Sequence, residues 1–487
     1  MRIVAALASL SLACAVHAAP IGYEGARHLL NRTGFGATDA EVRQFAPLER
    51  NQAVERLIAA TRREPSTQPP EFVDAPFEPF YRLRQMNAED RMAAQRRLIA
   101  QGFELRAWWV REMLSTPSPL TERMTLFWHN HFATSQQKVR ASQLMYRQNA
   151  LLRREALGNF ATLLHAVAKD PAMLVYLDNA GNRKQAPNEN FAREVMELFT
   201  LGEGRYGEQD VKEAARAFTG WSLDRETGEF TFRPMWHDYD AKTVLGKSGR
   251  WDGDEVLDIL LARPEAAEFI AAKLWREFVS PKPDPREVAR WAGVLRDSRY
   301  EMKPLVRAVL TSQAFWSAEN RGALIKSPVD LVVGTLHTFE IRPVDLRPAV
   351  LAAAALGQNP FSPPNVKGWP GGEAWINSST LLGRKQWLDR VFRGSDPAAM
   401  TAPAPMRDDA NPQKGRGERY RRMMERGMAD YTFDGERFIR SLPVSADGAA
   451  RVDMLVLAAA PVNPAPEDAD AAERVRTLVA DPAYQLK

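Results

Sequence analysis

The amino-acid sequence predicts a mostly α-helical globular protein with one small β-hairpin. Apolar side chains recur at helical spacing along most of the chain, as in Leu120, Met124 and Phe127, which stand at i, i+4 and i+7. Gly202 and Gly220 follow predicted helices at positions where glycine commonly ends a helix. One stretch alternates apolar and polar residues in the manner of β-strands. We therefore expect a multi-helix body into which a hairpin is inserted.

The helices are predicted from this periodicity and from residues that favour helix ends. The longest covers residues 88–115 and ends before Pro117, since proline lacks the backbone donor that a helix interior needs. The hairpin is predicted near residues 221–246, with a turn at Thr227-Gly228. Further helices are predicted over residues 142–157, 188–201, 209–219, 264–279, 285–297, 327–340, 380–393 and 467–478.

The N-terminal residues 1–18 have the three parts of a secretory signal peptide. Arg2 is followed by an almost unbroken apolar run over residues 3–16, and Val16-His17-Ala18 offers small residues where a signal peptidase cuts. The run is shorter than the about 20 residues that a membrane-spanning helix needs. We therefore expect export by the general secretion route, cleavage after Ala18 and a periplasmic or secreted mature protein with no transmembrane segment.

The only cysteine of the chain, Cys14, lies inside this predicted signal peptide. Cleavage after Ala18 would leave a protein without disulfides, thiolate metal ligands or a cysteine nucleophile. The alternative is lipidation of Cys14, but Ser11 stands where a lipoprotein cleavage site usually has a larger aliphatic residue. A lipid tether at Cys14 is therefore the less favoured prediction.

Proline-rich polar stretches divide the rest of the chain. We predict a main helical domain over residues 19–393 with a proline-rich insertion at 62–79, a flexible linker over 394–417, and a C-terminal helical segment over 418–487 that packs on the main domain. The net charge is only +4, and arginines stand beside glutamates along the predicted helices. This mixture is typical of a solvated surface and argues against nucleic-acid binding.

The segment His129-Asn130-His131 ends a predicted amphipathic helix. At about 100° per residue, His131 falls on the apolar stripe of this helix and His129 points almost to the opposite side, so the two rings cannot share one metal unless the helix unwinds there. His131 is expected to be a hydrogen-bonded core histidine, with metal ligation as the less favoured alternative. His129 is expected at the surface or in a contact between helices.

The predicted helix over residues 188–201 is the segment most suited to chemistry, and Asn188 is its expected N-cap. Glu194 lies near the apolar stripe of this helix and is expected to be half-buried, with Glu197 at the edge of the same stripe. A half-buried glutamate needs a partner or a shifted pKa. Two interpretations stay open: the glutamates are metal ligands or general acid–base groups, or they form a structural salt bridge with an arginine.

A His-Asp pair after the predicted hairpin could complete such a site, although this pair is also common on protein surfaces. No cofactor is identified, and a divalent metal is the one that these side chains would hold. No residue is assigned a catalytic role. The candidate polar cluster comprises His131, Asn188, Arg193, Glu194, Glu197, His237 and Asp238.

A loop over residues 361–372, rich in proline and glycine, is the second candidate site. Its proposed binding residues are Asn365, Trp369 and the following Trp375. The flat indole faces could stack on sugar rings, or they could plug the loop into the body, which is the commoner arrangement. The motifs of common serine hydrolases, zinc proteases and nucleotide-binding enzymes are absent.

Six segments carry a family resemblance, namely residues 29–36, 127–133, 187–202, 214–221, 365–371 and 481–486. Together they resemble the bacterial domain-of-unknown-function 1800 family along almost the whole mature length. The resemblance implies an exported bacterial protein and no particular activity. Members are often encoded beside a second exported family that looks sulfatase-like, which implies joint work with such a partner.

Two hypotheses about function follow from these observations. The favoured one is a binding or assembly component of the bacterial envelope that acts with another exported protein, because no complete catalytic constellation is recognised. The alternative is a metal-assisted hydrolase of an extracytoplasmic polymer, because Glu194 and Glu197 could act with His131 or His237.

Overall fold

The computed structural model describes residues 19–393, 431, 433–442 and 448–487 of the chain. The predicted signal peptide (1–18) and the predicted linker (394–417) lie outside the described residues. The described part is mostly α-helical, and its strands form two small antiparallel sheets. The predicted fold class is therefore confirmed. None of the described helices is long and apolar enough to cross a membrane.

The first half of the chain contains α1 (Gly22–Thr33), α2 (Asp39–Phe45), α3 (Arg50–Ala59), α4 (Phe80–Gln85), α5 (Ala88–Ser115), α6 (Pro119–His131), α7 (Gln136–Val139), α8 (Ser142–Arg154), α9 (Phe160–Ala168), α10 (Pro171–Tyr176), α11 (Glu189–Glu194) and α12 (Glu208–Ala217). A π-helix, Val195–Thr200, continues α11.

The second half contains α13 (Gly253–Leu261), α14 (Pro264–Phe278), α15 (Pro285–Asp297), α16 (Met302–Thr311), α17 (Gln313–Trp316), α18 (Pro328–Thr338), α19 (Arg347–Ala355), α20 (Ser378–Arg393), α21 (Gly435–Ser441), α22 (Gly448–Val456) and α23 (Ala471–Ala480). α14 packs along α15, and α15 packs along α16, so helices that follow one another in the chain are also neighbours in space here.

Side-chain caps mark where several of these helices begin. α5 covers the predicted range 88–115 because the Asn87 side chain accepts a hydrogen bond from Asp90 N at its start. α23 begins at residue 471 and not at 467 as predicted. The reason is that Asp470 supplies the N-cap and accepts from Glu473 N at 2.7 Å.

Two hairpins occupy the region where the sequence predicts one. β1 (Trp221–Leu223) pairs with β2 (Phe230–Phe232), and β3 (Lys242–Val244) pairs with β4 (Lys247–Gly249). The second hairpin turns at Leu245-Gly246, where both residues have positive φ, 48° and 80°. Such two-residue turns usually hold Asn-Gly or Asp-Gly, so a leucine at the first position conceals this turn from pattern analysis.

Two buried ion pairs start from neighbouring residues of α6. Arg153 donates hydrogen bonds of 2.6 and 2.9 Å to the Glu122 carboxylate. Arg123 forms an ion pair with Asp330, which also accepts from Lys487 Nζ at 2.7 Å. Removing one partner of a buried pair typically costs about 3–5 kcal/mol because the other charge is left unpaired. The pairs therefore connect α6 with α8, α18 and the last residue of the sequence.

The proline-rich stretch and the C-terminal stretch both contact the helical body where they are described. In the proline-rich stretch, the backbone N–H groups of Ser66 and Thr67 donate to the Glu112 carboxylate at 2.9 and 2.7 Å. In the C-terminal stretch, the Phe438 ring lies 5.2 Å from the Phe339 ring. Both contacts bury apolar or polar groups that would otherwise face water.

Candidate functional site

The helix predicted to carry the chemistry changes its winding at the glutamates. Residues 189–194 are α-helical, but Val195–Thr200 winds as a π-helix, in which Leu201 N donates to Met196 O at 2.8 Å. Thr200 Oγ1 donates to Val195 O at 2.7 Å and stabilises this wider turn. A π-helical turn inside a helix is uncommon and is frequently found at functional sites. It also leaves carbonyl groups that need partners from elsewhere.

His131 supplies one of those partners. Its Nε2 donates to Phe199 O at 3.1 Å, while its Nδ1 accepts from Lys273 Nζ at 2.9 Å. Burial and the Lys273 ammonium lower the pKa of His131 well below its usual value, so the ring is neutral and has a fixed tautomer. Both nitrogens are therefore used within the protein, as expected for a core histidine.

The two residues before His131 hold the tryptophan loop. Asn130 Oδ1 accepts from Trp369 N at 2.7 Å. Gly368 has φ +83°, and a Cβ there would clash with Asn130 Oδ1 and lie 2.5 Å from Asn130 O. Only glycine fits such an approach without strain. His129 is 1% exposed and packs between the Trp109 and Trp369 rings, at centroid distances of 5.4 and 5.6 Å.

We call Asn130, His131, Phe199, Gly368 and Trp369 the motif junction, because they join three separate segments of the chain. Trp369 and Trp375 are 4% and 6% exposed. Their indole faces therefore plug the loop into the body, which is the second of the two arrangements considered for this loop, and are not displayed for stacking. Asn365 is exposed and shapes the turn, since its Oδ1 accepts from Lys367 N at 2.9 Å.

The glutamates lie beside this junction, where we call Glu194 and Glu197 the carboxylate pair. Glu197 accepts from Tyr206 OH at 2.5 Å, and its Oε1 lies 3.9 Å from Lys367 Nζ. Among the described residues, Glu194 has no hydrogen bond or ion pair. Burial and the neighbouring Glu197 carboxylate raise the pKa of Glu194. The predicted half-burial of Glu194 is therefore observed, but no described arginine or histidine pairs with its carboxylate.

The other predicted members of the polar cluster have separate partners. Asn188 caps α11, with its Oδ1 accepting from Asn190 N at 3.0 Å. Arg193 binds Glu208 through two hydrogen bonds of 2.7 Å at the surface. Neither residue contacts Glu194 through a hydrogen bond. In the described part of the chain, no three His, Asp or Glu side chains are placed to hold one metal ion.

A comparison with protein families covers nearly the whole chain. A family model described as "Protein of unknown function (DUF1800)" matches residues 28–486. The chain belongs to the DUF1800 family. The match includes the segments of the motif junction and the carboxylate pair, so these features lie in the family region of the chain. No curated protein and no solved structure is significantly similar to this DUF1800 chain.

The predicted His-Asp pair lies in a different hydrogen-bond network of the DUF1800 fold. His237 is 4% exposed, and its Nδ1 donates to Thr219 O at 2.8 Å. Asp238 accepts from Arg216 Nε at 2.7 Å. These contacts fasten the loop after β2 to the end of α12. No hydrogen bond connects the pair with the described atoms of Glu194 or Glu197.

A large groove of the described DUF1800 chain is absent from the sequence-based predictions. It has a volume of about 1270 Å³ and lies between α5, the end of α4 and residues 136–140. We call it the cationic groove. Its charged lining residues are Arg84, Arg91, Arg106, Lys138 and Arg140, and its apolar ones are Leu83, Ala94, Leu98, Ile99, Val139 and Val175.

One signal in the sequence could have found this groove. The α5 residues that line it, from Arg91 through Leu98 to Arg106, recur at spacings of three and four. This face mixes apolar residues with arginine and lacks acids, whereas Glu89, Asp90 and Glu104 lie outside the lining. A single helical face with cations and no anions is unusual for a merely solvated surface.

Proposed function

We propose that this protein is an exported binding or assembly component of the bacterial envelope, and that the cationic groove is its ligand surface. The observation that carries the proposal is that the arginines of the groove lack counter-charges, whereas its lysine, Lys138, is paired with Asp178 at 2.7 Å. Among the described residues, Arg84, Arg91, Arg106 and Arg140 form no ion pair, whereas arginines such as Arg43, Arg154 and Arg307 each contact an acid. Unpaired cations on an apolar wall attract an anionic partner.

The contacts of the two histidines in the candidate polar cluster also support binding over catalysis. His131 uses both ring nitrogens on Phe199 and Lys273, and His237 is bonded to Thr219. A general base must reach a substrate proton within hydrogen-bond distance. Side chains fixed in this way hold the fold together and leave little for chemistry.

Export rests on the signal-peptide pattern of residues 1–18. It is tested by expressing the full chain in a bacterial host and determining the N-terminal residue of the protein recovered from the periplasm. We expect Ala19, and protein that stays in the cytoplasm with Met1 would contradict export. The sulfatase-like partner is an expectation that follows from the family resemblance alone.

The groove is tested with an anionic apolar dye, anilinonaphthalene sulfonate, added to the purified protein. We expect one saturable site. Its affinity should fall roughly tenfold or more in the double variant Arg84→Glu/Arg91→Glu, because a hydrogen bond to a charged group contributes about 1.5–3 kcal/mol.

The matched control is Arg96→Glu, which lies on the same helix about 140° away from Arg91 and outside the groove. This variant should bind the dye like the parent protein. Circular dichroism checks that each variant is folded. A saturable signal that survives the double variant, or no saturable signal at all, would contradict the proposed ligand surface.

The carboxylate pair favours a second candidate function, a metal-assisted hydrolase. Its support is the raised pKa of half-buried Glu194 beside Glu197, an arrangement that suits an acid–base group. The test is the metal content of the purified protein and of Glu194→Gln, with exposed Glu203→Gln as the control. Stoichiometric metal that only Glu194→Gln loses would favour the hydrolase. Protein that is metal-free under all conditions and retains its fold in Glu194→Gln would exclude this route.

A further inference from the structure

One wall of the cationic groove is formed by a single face of α5. The α5 residues that line it are Arg91, Ala94, Gln95, Leu98, Ile99, Gly102 and Arg106, which form a single helical face. Most of this half of α5 is otherwise exposed to solvent, and Ile99 is 55% exposed. An amphipathic helix normally buries its apolar face against a partner. Here that face is turned to an open groove.

The length of this wall fits an extended chain. From residue 91 to residue 106 the helix rises about 22 Å, at 1.5 Å per residue. One leaflet of a bilayer holds alkyl chains of about 15 Å, half of its hydrocarbon thickness. At Gly102 a Cβ would meet Gln136 Nε2 at 2.7 Å, so α5 and residues 136–140 approach closely at the floor. The groove is therefore long and has a closed floor at Gly102.

The cations are distributed along this wall. Arg91 stands near the start of α5 and Arg106 lies fifteen residues further, while Arg140 belongs to the opposite side, beside Lys138, whose charge is paired with Asp178. Arg106 is held by Pro360 O at 3.2 Å and Gln136 Oε1 at 3.0 Å, which are neutral acceptors. It therefore keeps its charge at neutral pH without a described carboxylate to balance it.

The lining also excludes other ligands. No aromatic side chain is among the lining residues, so there is no platform on which a sugar or a base would stack. No acidic side chain is among them, so a cationic ligand has no counter-charge there. An apolar wall with arginine at its edges is left, and such a surface suits a molecule that is itself apolar along its length and anionic at its head.

We propose that the cationic groove binds an anionic amphiphile, with its alkyl chain along Leu98 and Ile99 and its carboxylate or phosphate head among the arginines. This inference rests on the proposed binding function and names the chemical class of the ligand. A free alkyl carboxylate or phosphate and the anionic lipid of a membrane share this chemistry. Either source satisfies the proposal.

The experiment is competition against the bound dye by amphiphiles below their micelle concentrations. The probes are decanoate, dodecanoate, tetradecanoate and dodecyl phosphate, with inorganic phosphate and dodecyltrimethylammonium as comparisons. Affinity should rise by about twofold to fourfold for each methylene that enters the groove. Inorganic phosphate and the cationic amphiphile should compete at least tenfold more weakly than dodecyl phosphate.

Matched variants connect this binding to the apolar wall. Ile99→Glu should weaken dodecanoate at least tenfold, whereas Met92→Glu should not, although the two side chains are 55% and 57% exposed on the same helix. Flotation with phosphatidylglycerol vesicles, compared with phosphatidylcholine vesicles, distinguishes membrane lipid from free amphiphile. Binding to either source supports the proposal, provided that Ile99→Glu abolishes it.

Failure of this inference can be separated from failure of the proposed function. Dye that binds in the groove and is displaced equally by inorganic phosphate and dodecyl phosphate, with no dependence on chain length, would overturn the amphiphile and leave an anion-binding groove. Dye that does not respond to Arg84→Glu/Arg91→Glu would overturn the proposed ligand surface itself.

Discussion

The motif junction and the cationic groove treat their polar groups in opposite ways. At the junction, His131 uses both ring nitrogens inside the protein, and Asn130 accepts from a backbone N–H at 2.7 Å. In the groove, Arg84, Arg91 and Arg140 face the surface without a described carboxylate partner. The first arrangement stabilises a unique fold, and the second keeps charge available for another molecule. Asn130 and His131, whose side chains are of types common in catalytic sites, thus stabilise the fold here.

The junction should be the more fragile of the two regions, and Gly368→Ala should show the largest effect. The new Cβ would clash with Asn130 Oδ1 on a backbone with φ +83°. Left-handed strain and forced repacking together predict a loss of about 2–5 kcal/mol in the free energy of unfolding. Urea denaturation of the purified protein measures this change.

Gly371→Ala is the control for this substitution. Gly371 also has positive φ, +72°, but no atom lies within 4 Å of the position that an added Cβ would occupy. Only the backbone strain applies there, about 1–3 kcal/mol, because ψ is 178° and this region is populated almost only by glycine. Equal losses in the two variants would show that the close approach to Asn130 contributes nothing.

Asn130→Ala should have the next largest effect. It leaves the backbone N–H of Trp369 without an acceptor in a part-buried position, which costs about 1–3 kcal/mol. Asn365→Ala removes a similar side-chain-to-backbone bond from an exposed turn and should cost less than about 1 kcal/mol. Thermal unfolding of both variants ranks them, and the reverse order would contradict the importance of the junction.

The sequence predicts the helices of this fold better than it predicts the contacts between them. Periodicity and caps place α5 and α15 at their observed ends, because both signals are local. The π-helical turn at residues 195–200 depends on His131 and Thr200, and His131 is distant in sequence, so helical periodicity continues through it unchanged. The helical angle of His129 predicts a position at the surface or between helices. The ring is buried against Trp109 of α5, so the position between helices is the one observed.

The candidate site is predictable only in part, because some of its contacts join segments that are distant in the sequence. Half-burial of Glu194 follows from its angle on the helix, so the sequence alone indicates it. Its neighbours Tyr206 and Lys367 come from other segments, and no spacing rule connects them with Glu197. The second hairpin escapes pattern analysis because Leu245 is an uncommon residue for positive φ.

Both His129 and His131 should remove stability on acidification, because burial lowers the pKa of each ring, and substitution at pH 7 should separate the two. Burial lowers the pKa of His129 to about 3, and its Nε2 has no described partner. Below the unfolded-state pKa of about 6.5 the unfolded chain takes up a proton that the folded ring refuses. This site therefore removes about 1.4 kcal/mol of stability for each pH unit between about 6.5 and 4.

His129→Phe should abolish that contribution while keeping the aromatic packing against Trp109 and Trp369. Stability at pH 7 should stay the same or rise, and the loss on acidification should be smaller than in the parent protein. His131→Phe is the matched variant, and it should lose stability already at pH 7 because Phe199 O and Lys273 lose their partner. Urea denaturation at pH 7, 6 and 5 tests both expectations, and identical profiles for the two variants would contradict them.

The smallest effect on stability should come from the groove. Arg84→Glu and Arg91→Glu remove charges that have no described ion-pair partner, so each should change the free energy of unfolding by less than about 0.5 kcal/mol. A stability loss above about 1 kcal/mol in either variant would mean that these arginines hold the fold together, as the polar groups of the junction do. Relieving the repulsion between neighbouring arginines can even stabilise the protein. Unchanged or increased stability together with lost ligand binding is the outcome expected of a surface kept for another molecule.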